Sequence, residues 1–168
     1  ASNVASGAFA LYYNTTGANN TGSGYGALEA NTTGANNVAV GYYALKANTT
    51  GDNNIGIGYA ALTTNTTGAE NVAVGANALD ANTTSSNSVA VGYAALTANT
   101  AAENTAIGAS TLAANTSGGQ NVALGNKALY DNTTGSRCVA VGNLAGTNTT
   151  TAEGNVYIGS GAGHNNTT

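Results

Sequence analysis

The chain has 168 residues, and four small residues dominate it: Ala, Asn, Thr and Gly contribute 34, 26, 26 and 24 copies. Only 10 side chains carry charge, 3 basic and 7 acidic, for a net charge of −4. This balance provides no basic surface for nucleic acid or for anionic lipid. No aliphatic run approaches the roughly 20 residues that cross a bilayer. We therefore expect neither nucleic-acid binding nor membrane insertion.

Nearly the whole chain is one tandem repeat of 17 residues, with a single unit of 16. Its template is Asn-Val-Ala-Val-Gly-Tyr-x-Ala-Leu-x-x-Asn-Thr-Thr-Gly-x-x. A unit this small cannot bury its own apolar face, so neighbouring copies must stack. The ten units begin at Asn3, Asn20, Asn37, Asn54, Asn71, Ser88, Asn104, Asn121, Cys138 and Asn155.

Each unit opens with β-branched residues that alternate with small ones, a pattern typical of a strand. We expect the second and fourth positions, such as Val72 and Val74, to point inward, with Leu79 facing them from the opposite wall. Glycine at the fifth position permits a bulge, a corner or a close backbone approach. The sequence thus predicts an all-β fold, a β-solenoid of about ten 17-residue coils. It forms a single repeat domain over 1–168 that is uncapped at both ends.

The turn that closes each unit has two interpretations. Asn-Thr-Thr or Asn-Thr-Ser matches the Asn-x-Ser/Thr acceptor rule for N-linked glycans, so a glycan on each coil would sheath one edge of the rod. Alternatively, Asn and Thr simply favour turns, and the glycine that follows supplies a positive φ. The candidate acceptors are Asn14, Asn31, Asn48, Asn65, Asn82, Asn115, Asn132 and Asn148.

Two further columns of residues recur at fixed positions. The opening asparagines can form a hydrogen-bonded ladder, in which Ser88 and Cys138 are small substitutes; a reactive or intermolecular Cys138 thiol is the alternative. Four tyrosines at position six form a possible contact stripe for carbohydrate or a partner, unless they pack on one another. They are Tyr25, Tyr42, Tyr59 and Tyr93.

Residues that carry chemistry are sparse. His164 is the single histidine, and the seven acids are dispersed at about one per coil. Metal sites and acid–base catalysis require such groups in clusters. We expect no catalytic residue, no metal, no cofactor and no enzymatic activity.

The repeat resembles those of two known groups of fibrous surface proteins. Units such as Asn37-Val-Ala-Val-Gly-Tyr-Tyr-Ala-Leu45 resemble the YadA-like head repeats of trimeric autotransporter adhesins. They also resemble the Asn-Thr-Thr-Gly-punctuated repeats of phage tail-fibre and surface-fibre proteins. The resemblance implies a left-handed parallel β-roll, usually trimeric, that acts as a non-enzymatic adhesive or spacer fibre. The turn here is longer than in the YadA-like repeat, so a larger coil could also stand alone as a monomeric rod.

Two functions from different classes remain. The first is a structural or adhesive extracellular fibre, located outside the cell or on a cell or virion surface, of which this chain is a segment or protomer. Its partners are other copies of itself, in an end-to-end filament or a homotrimer, and glycans or cell-surface carbohydrate. The second is an ice-binding or carbohydrate-binding solenoid, because regular threonine columns can present a repetitive surface.

Overall fold

A computed structural model describes residues 2–167; residues 1 and 168 of the predicted domain lie outside the described part. Ten strands of three residues form one parallel sheet in chain order, and each of the first nine is paired with the strand one unit later. Within residues 2–167 no helix is long and apolar enough to cross a membrane. The predicted all-β solenoid is confirmed, with one strand per unit. The strands are β1 (Val4–Ser6), β2 (Thr21–Ser23), β3 (Val38–Val40), β4 (Ile55–Ile57), β5 (Val72–Val74), β6 (Val89–Val91), β7 (Thr105–Ile107), β8 (Val122–Leu124), β9 (Val139–Val141) and β10 (Val156–Ile158).

The wall opposite the sheet is a chain of tight turns. Two residues of this wall, separated by one residue, have a positive φ in the left-handed region, for example Asn77 at φ 57° and Leu79 at φ 51°. Asn77 N donates to Tyr59 O of the preceding coil at 2.9 Å, whereas Leu79 N donates to Ala95 O of the following coil at 3.1 Å. This wall therefore also links each coil to both neighbours. The leucines occupy a conformation that usually selects glycine.

The core of each coil is built from alanine and leucine. The predicted inward direction of Leu79 is confirmed, since it is fully buried. The predicted inward direction of Val72 and Val74 is wrong, because Ala73 between them is the buried residue and both valines are partly exposed.

The reason is the narrowness of the coil. A Cβ added at Gly56, in the middle of β4, would lie 3.2 Å from Leu45 Cγ on the opposite wall and 3.2 Å from Ala61 O. The middle position of a strand thus has room for a methyl group and not for a valine. The sequence carries this signal, because the third position of every unit before the last is Ala or Gly.

Two kinds of glycine serve different purposes. At the fifth position Gly58 has φ 133°, and a Cβ there would lie 2.6 Å from Gly75 O, so the close approach is between successive coils. The turn glycines such as Gly34 do not have a positive φ. That conformation falls on Asn36, at φ 59°, and the predicted role of the turn glycine is therefore wrong.

The last two coils have a different core. Tyr157 takes the inward position of β10, and Gly146 and Gly163 stand where earlier coils have the inward leucine. A Cβ on Gly146 would lie 2.7 Å from Tyr157 Cδ2, so the ring fills the space that leucine leaves. Hydrogen bonds join the Tyr157 hydroxyl to Thr149 Oγ1 at 3.2 Å and to Asn166 Nδ2 at 2.7 Å.

Candidate functional site

The asparagines of the Asn-Thr-Thr turns form an internal column, which we name the turn ladder. Asn48 Nδ2 donates to Asn31 Oδ1 of the preceding coil at 2.8 Å and to Gly51 O of its own coil at 3.0 Å. Asn65 Nδ2 repeats the pattern on Asn48 Oδ1 at 2.9 Å. Each amide therefore closes its own turn and bonds the next coil. The turn ladder comprises Asn14, Asn31, Asn48, Asn65, Asn82, Asn99, Asn115 and Asn132, with Thr149 in the ninth place.

This geometry argues against N-linked glycans on these side chains. From Asn31 to Asn132 the candidate acceptors are fully buried, and each Nδ2 uses both of its hydrogens within the ladder. A glycan would replace one of those hydrogens and would have to occupy the interior of the coil. Asn14, in the first coil, is partly exposed and donates to Gly17 O at 3.0 Å.

Asn148 stands apart from the other candidates. Counting 17 residues from Asn132 leads to Thr149, so Asn148 lies one residue out of phase with the turn ladder. Thr149 is fully buried, whereas Asn148 is partly exposed. The predicted equivalence of Asn148 with the other seven acceptors is therefore wrong.

The first residues of the units form a second internal column, the opening ladder. Asn37 N donates to Asn20 Oδ1 of the preceding coil at 2.9 Å, and Asn20 Nδ2 donates to Gly34 O at 2.8 Å. The predicted hydrogen-bonded ladder is confirmed, although most of its bonds join side chain to backbone. Asn31 of the turn ladder donates to the same Gly34 O at 2.9 Å. One carbonyl per coil thus ties the two ladders together.

Cys138 fits the opening ladder as a small substitute. Its backbone N donates to Asn121 Oδ1 at 2.9 Å, and its Sγ lies 3.3 Å from Ala152 O, the carbonyl that corresponds to Gly34 O. The thiol is buried. This placement supports the structural interpretation over that of a reactive thiol, because reactive cysteines are accessible.

The turn ladder is interrupted in two places. Asn82 Oδ1 and Asn132 Oδ1 are the buried side-chain oxygens without a hydrogen-bond partner within residues 2–167. After Asn82, the amide of Asn99 turns to Ala101 O at 2.6 Å in the 16-residue unit. After Asn132, the position is occupied by Thr149, whose hydroxyl bonds Tyr157 instead. The ladder therefore fails where the repeat does.

The two threonines of each turn lie in different environments. The hydroxyl of the first donates to the next coil, as Thr32 Oγ1 does to Thr49 O at 3.0 Å. The second threonine is exposed, as at Thr33, Thr50 and Thr67. First threonines such as Thr15 and Thr116 are also exposed, but their hydroxyls are bonded to the next coil.

The predicted tyrosine stripe is continuous over three coils. Tyr25 and Tyr42 stack with ring centroids 5.4 Å apart, and Tyr42 and Tyr59 stack at 5.5 Å. Tyr93 is separated from them because Ala76 occupies the intervening coil. Both faces of the Tyr42 ring are thereby covered, which favours self-packing over stacking on a sugar.

Sequence reasoning missed the rest of this aromatic cluster. Phe9 lies 5.4 Å from Tyr25, and Tyr43 lies 4.2 Å from Tyr42 between ring centroids. Lys46 Nζ lies 4.0 Å above the Tyr43 ring. The Tyr42 hydroxyl, as a hydrogen-bond partner, and then desolvation raise the pKa of Tyr43 to about 12. These residues fall outside position six, and only the coil geometry brings them together.

The outward side of the sheet is an extended apolar surface. The second and fourth positions of every unit project there in two columns, which together we name the strand face. From β3 to β10 every member is Val, Ile or Leu except Thr105. Val40 is 39% exposed and Ile107 is 40% exposed, although neighbouring rungs flank both.

Groups suited to catalysis are not gathered anywhere in residues 2–167. This region contains no pocket and no group of three or more His, Cys, Asp or Glu side chains that could hold a metal ion. Two ion pairs lie on the surface within it, Lys46 with Glu29 at 3.9 Å and Arg137 with Glu153. Burial raises the pKa of Asp80 above its usual value. The arrangement within residues 2–167 consists of repeating surfaces and internal ladders.

Comparisons with protein-family models, with curated proteins and with solved structures give no match. The resemblance of the repeat to YadA-like heads and phage fibres therefore stays an expectation from the residues.

Proposed function

We propose that this protein is a non-enzymatic structural or adhesive fibre segment, located outside the cell or on a cell or virion surface. The observation that carries the proposal is that successive coils bond through equivalent atoms. The backbone ladder, the turn ladder, the opening ladder and the first threonines all run along one axis. Apart from the 16-residue unit and the last two coils, each coil presents to the next what the previous one presents to it, so such a stack has no preferred length.

The end strands are suited to continuing this stack. Val4 N donates to Asn20 O and Gly24 N donates to Ser6 O, both at 2.8 Å. In a parallel ladder the residue between them directs its backbone N–H and C=O to the opposite side. Ala5 therefore directs a donor and an acceptor to the side of β1 away from β2, and we propose that β10 of another copy pairs there.

Any glycan sheath on this fibre belongs on the second threonine of the turns that have two. Its side chain is exposed, whereas the asparagine two residues earlier is locked in the turn ladder. Mass spectrometry of peptides released from the native source tests this assignment. Glycans on the turn asparagines of the folded fibre would contradict it.

The alternative of an ice-binding surface has less support. Ice-binding requires a flat, regular array, and one of the two threonine columns spends its hydroxyls on the next coil. The remaining column is a single line on a turn. The carbohydrate-binding alternative is weakened in the same way by the stacked tyrosines, whose inner ring has no free face.

Blocking the open edge tests the proposal. Ala5→Pro removes the outward N–H without disturbing bonds to β2, and Ala5→Gly is the control that keeps the donor. We expect filaments from the unaltered protein and from Ala5→Gly, and discrete short rods from Ala5→Pro, seen by electron microscopy. Short rods from all three proteins, or filaments from all three, would contradict end-to-end stacking.

A further inference from the structure

The strand face is an apolar surface that the coil itself does not cover. Its two columns run along the rod, and across β3 to β10 they contain no charged side chain. The nearest charges stand at the border, in the column that precedes each unit, at Glu70, Glu103 and Arg137. An uncharged aliphatic strip of this length with a polar border is typical of an association surface.

The area of the strip is adequate for a specific interface. Eight strands spaced about 4.8 Å apart give a length of roughly 38 Å, and two columns with their side chains give a width of about 11 Å. The projected area is therefore about 400 Å² in each copy and about 800 Å² in a pair. The corrugation of the side chains and the border residues bring a pair to the roughly 1,000 Å² that specific interfaces exceed.

The spacing of the strip selects its partner. A surface that meets every rung must itself repeat at about 4.8 Å and present aliphatic side chains in two columns. Within residues 2–167 the strand face is such a surface. A second copy thus satisfies shape, spacing and the absence of charge together.

We propose that two copies of this chain pair side by side, with their strand faces packed against each other as two sheets about 10 Å apart. A two-fold axis relates the copies, so each contributes the same residues. This pairing adds a lateral contact to the axial stacking of the proposed fibre, and it does not depend on that stacking.

Polar residues at one end limit how the two copies align. The aliphatic columns stop at β2, where Thr21 and Ser23 take the two outward positions, followed by Ser6 in β1. Sliding the copies along the axis would place these hydroxyls against valines of the partner. The alignment that buries the most aliphatic surface is therefore the one that overlays β3 to β10 of both copies.

The test measures mass where axial stacking is blocked. In an Ala5→Pro background, sedimentation equilibrium is expected to give twice the chain mass of 16.2 kDa. Adding Val74→Lys and Ile107→Lys, two charges on the strand face, is expected to give a single copy. The matched control, Thr50→Lys with Thr84→Lys, places the same charges on the exposed turn column and is expected to remain paired.

A milder pair of changes guards against loss of the fold. Val74→Thr with Ile107→Thr keeps β-branched side chains and is expected to weaken pairing at least tenfold while circular dichroism is unchanged. The proposal would be overturned if the Ala5→Pro protein sedimented as a single copy at about 0.1 mM, or with the mass of three copies. It would also be overturned if the Val74→Lys, Ile107→Lys variant paired as strongly as the Ala5→Pro protein. Filaments one rod wide would overturn lateral pairing alone, whereas pairs that never lengthen would overturn axial stacking alone.

Discussion

Individual residues in this rod are constrained by the coil above and the coil below as much as by their own turn. Gly58 illustrates this, because its φ of 133° excludes most side chains and Gly75 O of the next coil excludes a Cβ. Gly159 has a similar φ of 122°, but its added Cβ would meet nothing closer than Ala162 Cβ at 3.9 Å. The two glycines therefore separate the conformational constraint from the steric one.

Replacing these two glycines by alanine gives unequal losses of stability. We expect Gly159→Ala to lower the free energy of unfolding by about 1–3 kcal/mol, the cost of an unfavourable φ. Gly58→Ala adds a clash with a backbone carbonyl, so we expect a loss of about 4 kcal/mol or more. Urea unfolding of the two variants in an Ala5→Pro background, where no next copy covers Gly159, measures the difference, and equal losses would show that the coils are not in close contact at this position.

Tyr43 makes the protein sensitive to alkaline pH. Its folded pKa of about 12 lies above its usual value of 10, so the neutral form stabilises the fold. That contribution is complete below about pH 10 and is lost as the pH rises through about 12. We expect the melting temperature to fall across this interval, and to fall less in Tyr43→Phe. If the melting temperatures of both proteins fell equally with pH, Tyr43 would not be the cause of the alkaline sensitivity.

At the scale of the element, the turn ladder holds each coil to the next from inside. Asn48 donates two hydrogen bonds and accepts one from Asn65, whereas Asn132 is equally buried and donates two but accepts none. Comparing these two asparagines therefore measures the free energy that one hydrogen bond between coils contributes.

Removing these asparagines tests the ladder. Asn48→Ala leaves Asn31 Oδ1 and one N–H of Asn65 without partners, whereas Asn132→Ala leaves only Asn115 Oδ1. We expect Asn48→Ala to cost about 1–3 kcal/mol more than Asn132→Ala, the penalty of one orphaned buried donor. Chemical denaturation measures both losses. A larger loss for Asn132→Ala would contradict the ladder as described.

The repeat predicts the solenoid, its period and the inward leucine, because these follow from spacing alone. It misleads on the valines, since that inference assigns the inward direction by residue type, and it leaves open whether the turn asparagines accept glycans or only shape the turn. Val72 points outward because the coil admits only a methyl group at its centre. Asn48 is buried because an amide can close a turn and bond the next coil at once. The aromatic cluster around Tyr43 required the structure, because its members occupy several positions of the unit.

At the scale of the whole molecule, the coils make a rod with two kinds of surface. Along its axis lies the proposed contact between copies, and its side carries the strand face. Ten strands at about 4.8 Å spacing give a rod roughly 45 Å long. Axial pairing would extend it and lateral pairing would double it, so the two surfaces together specify a filament two rods wide.

The most direct test of the fibre account is cryo-electron microscopy of the purified, unaltered chain. We predict filaments with an axial rise of about 4.8 Å between coils that continues without interruption across the junctions between copies. Discrete particles no longer than one chain, at concentrations where filaments are expected, would contradict the fibre account.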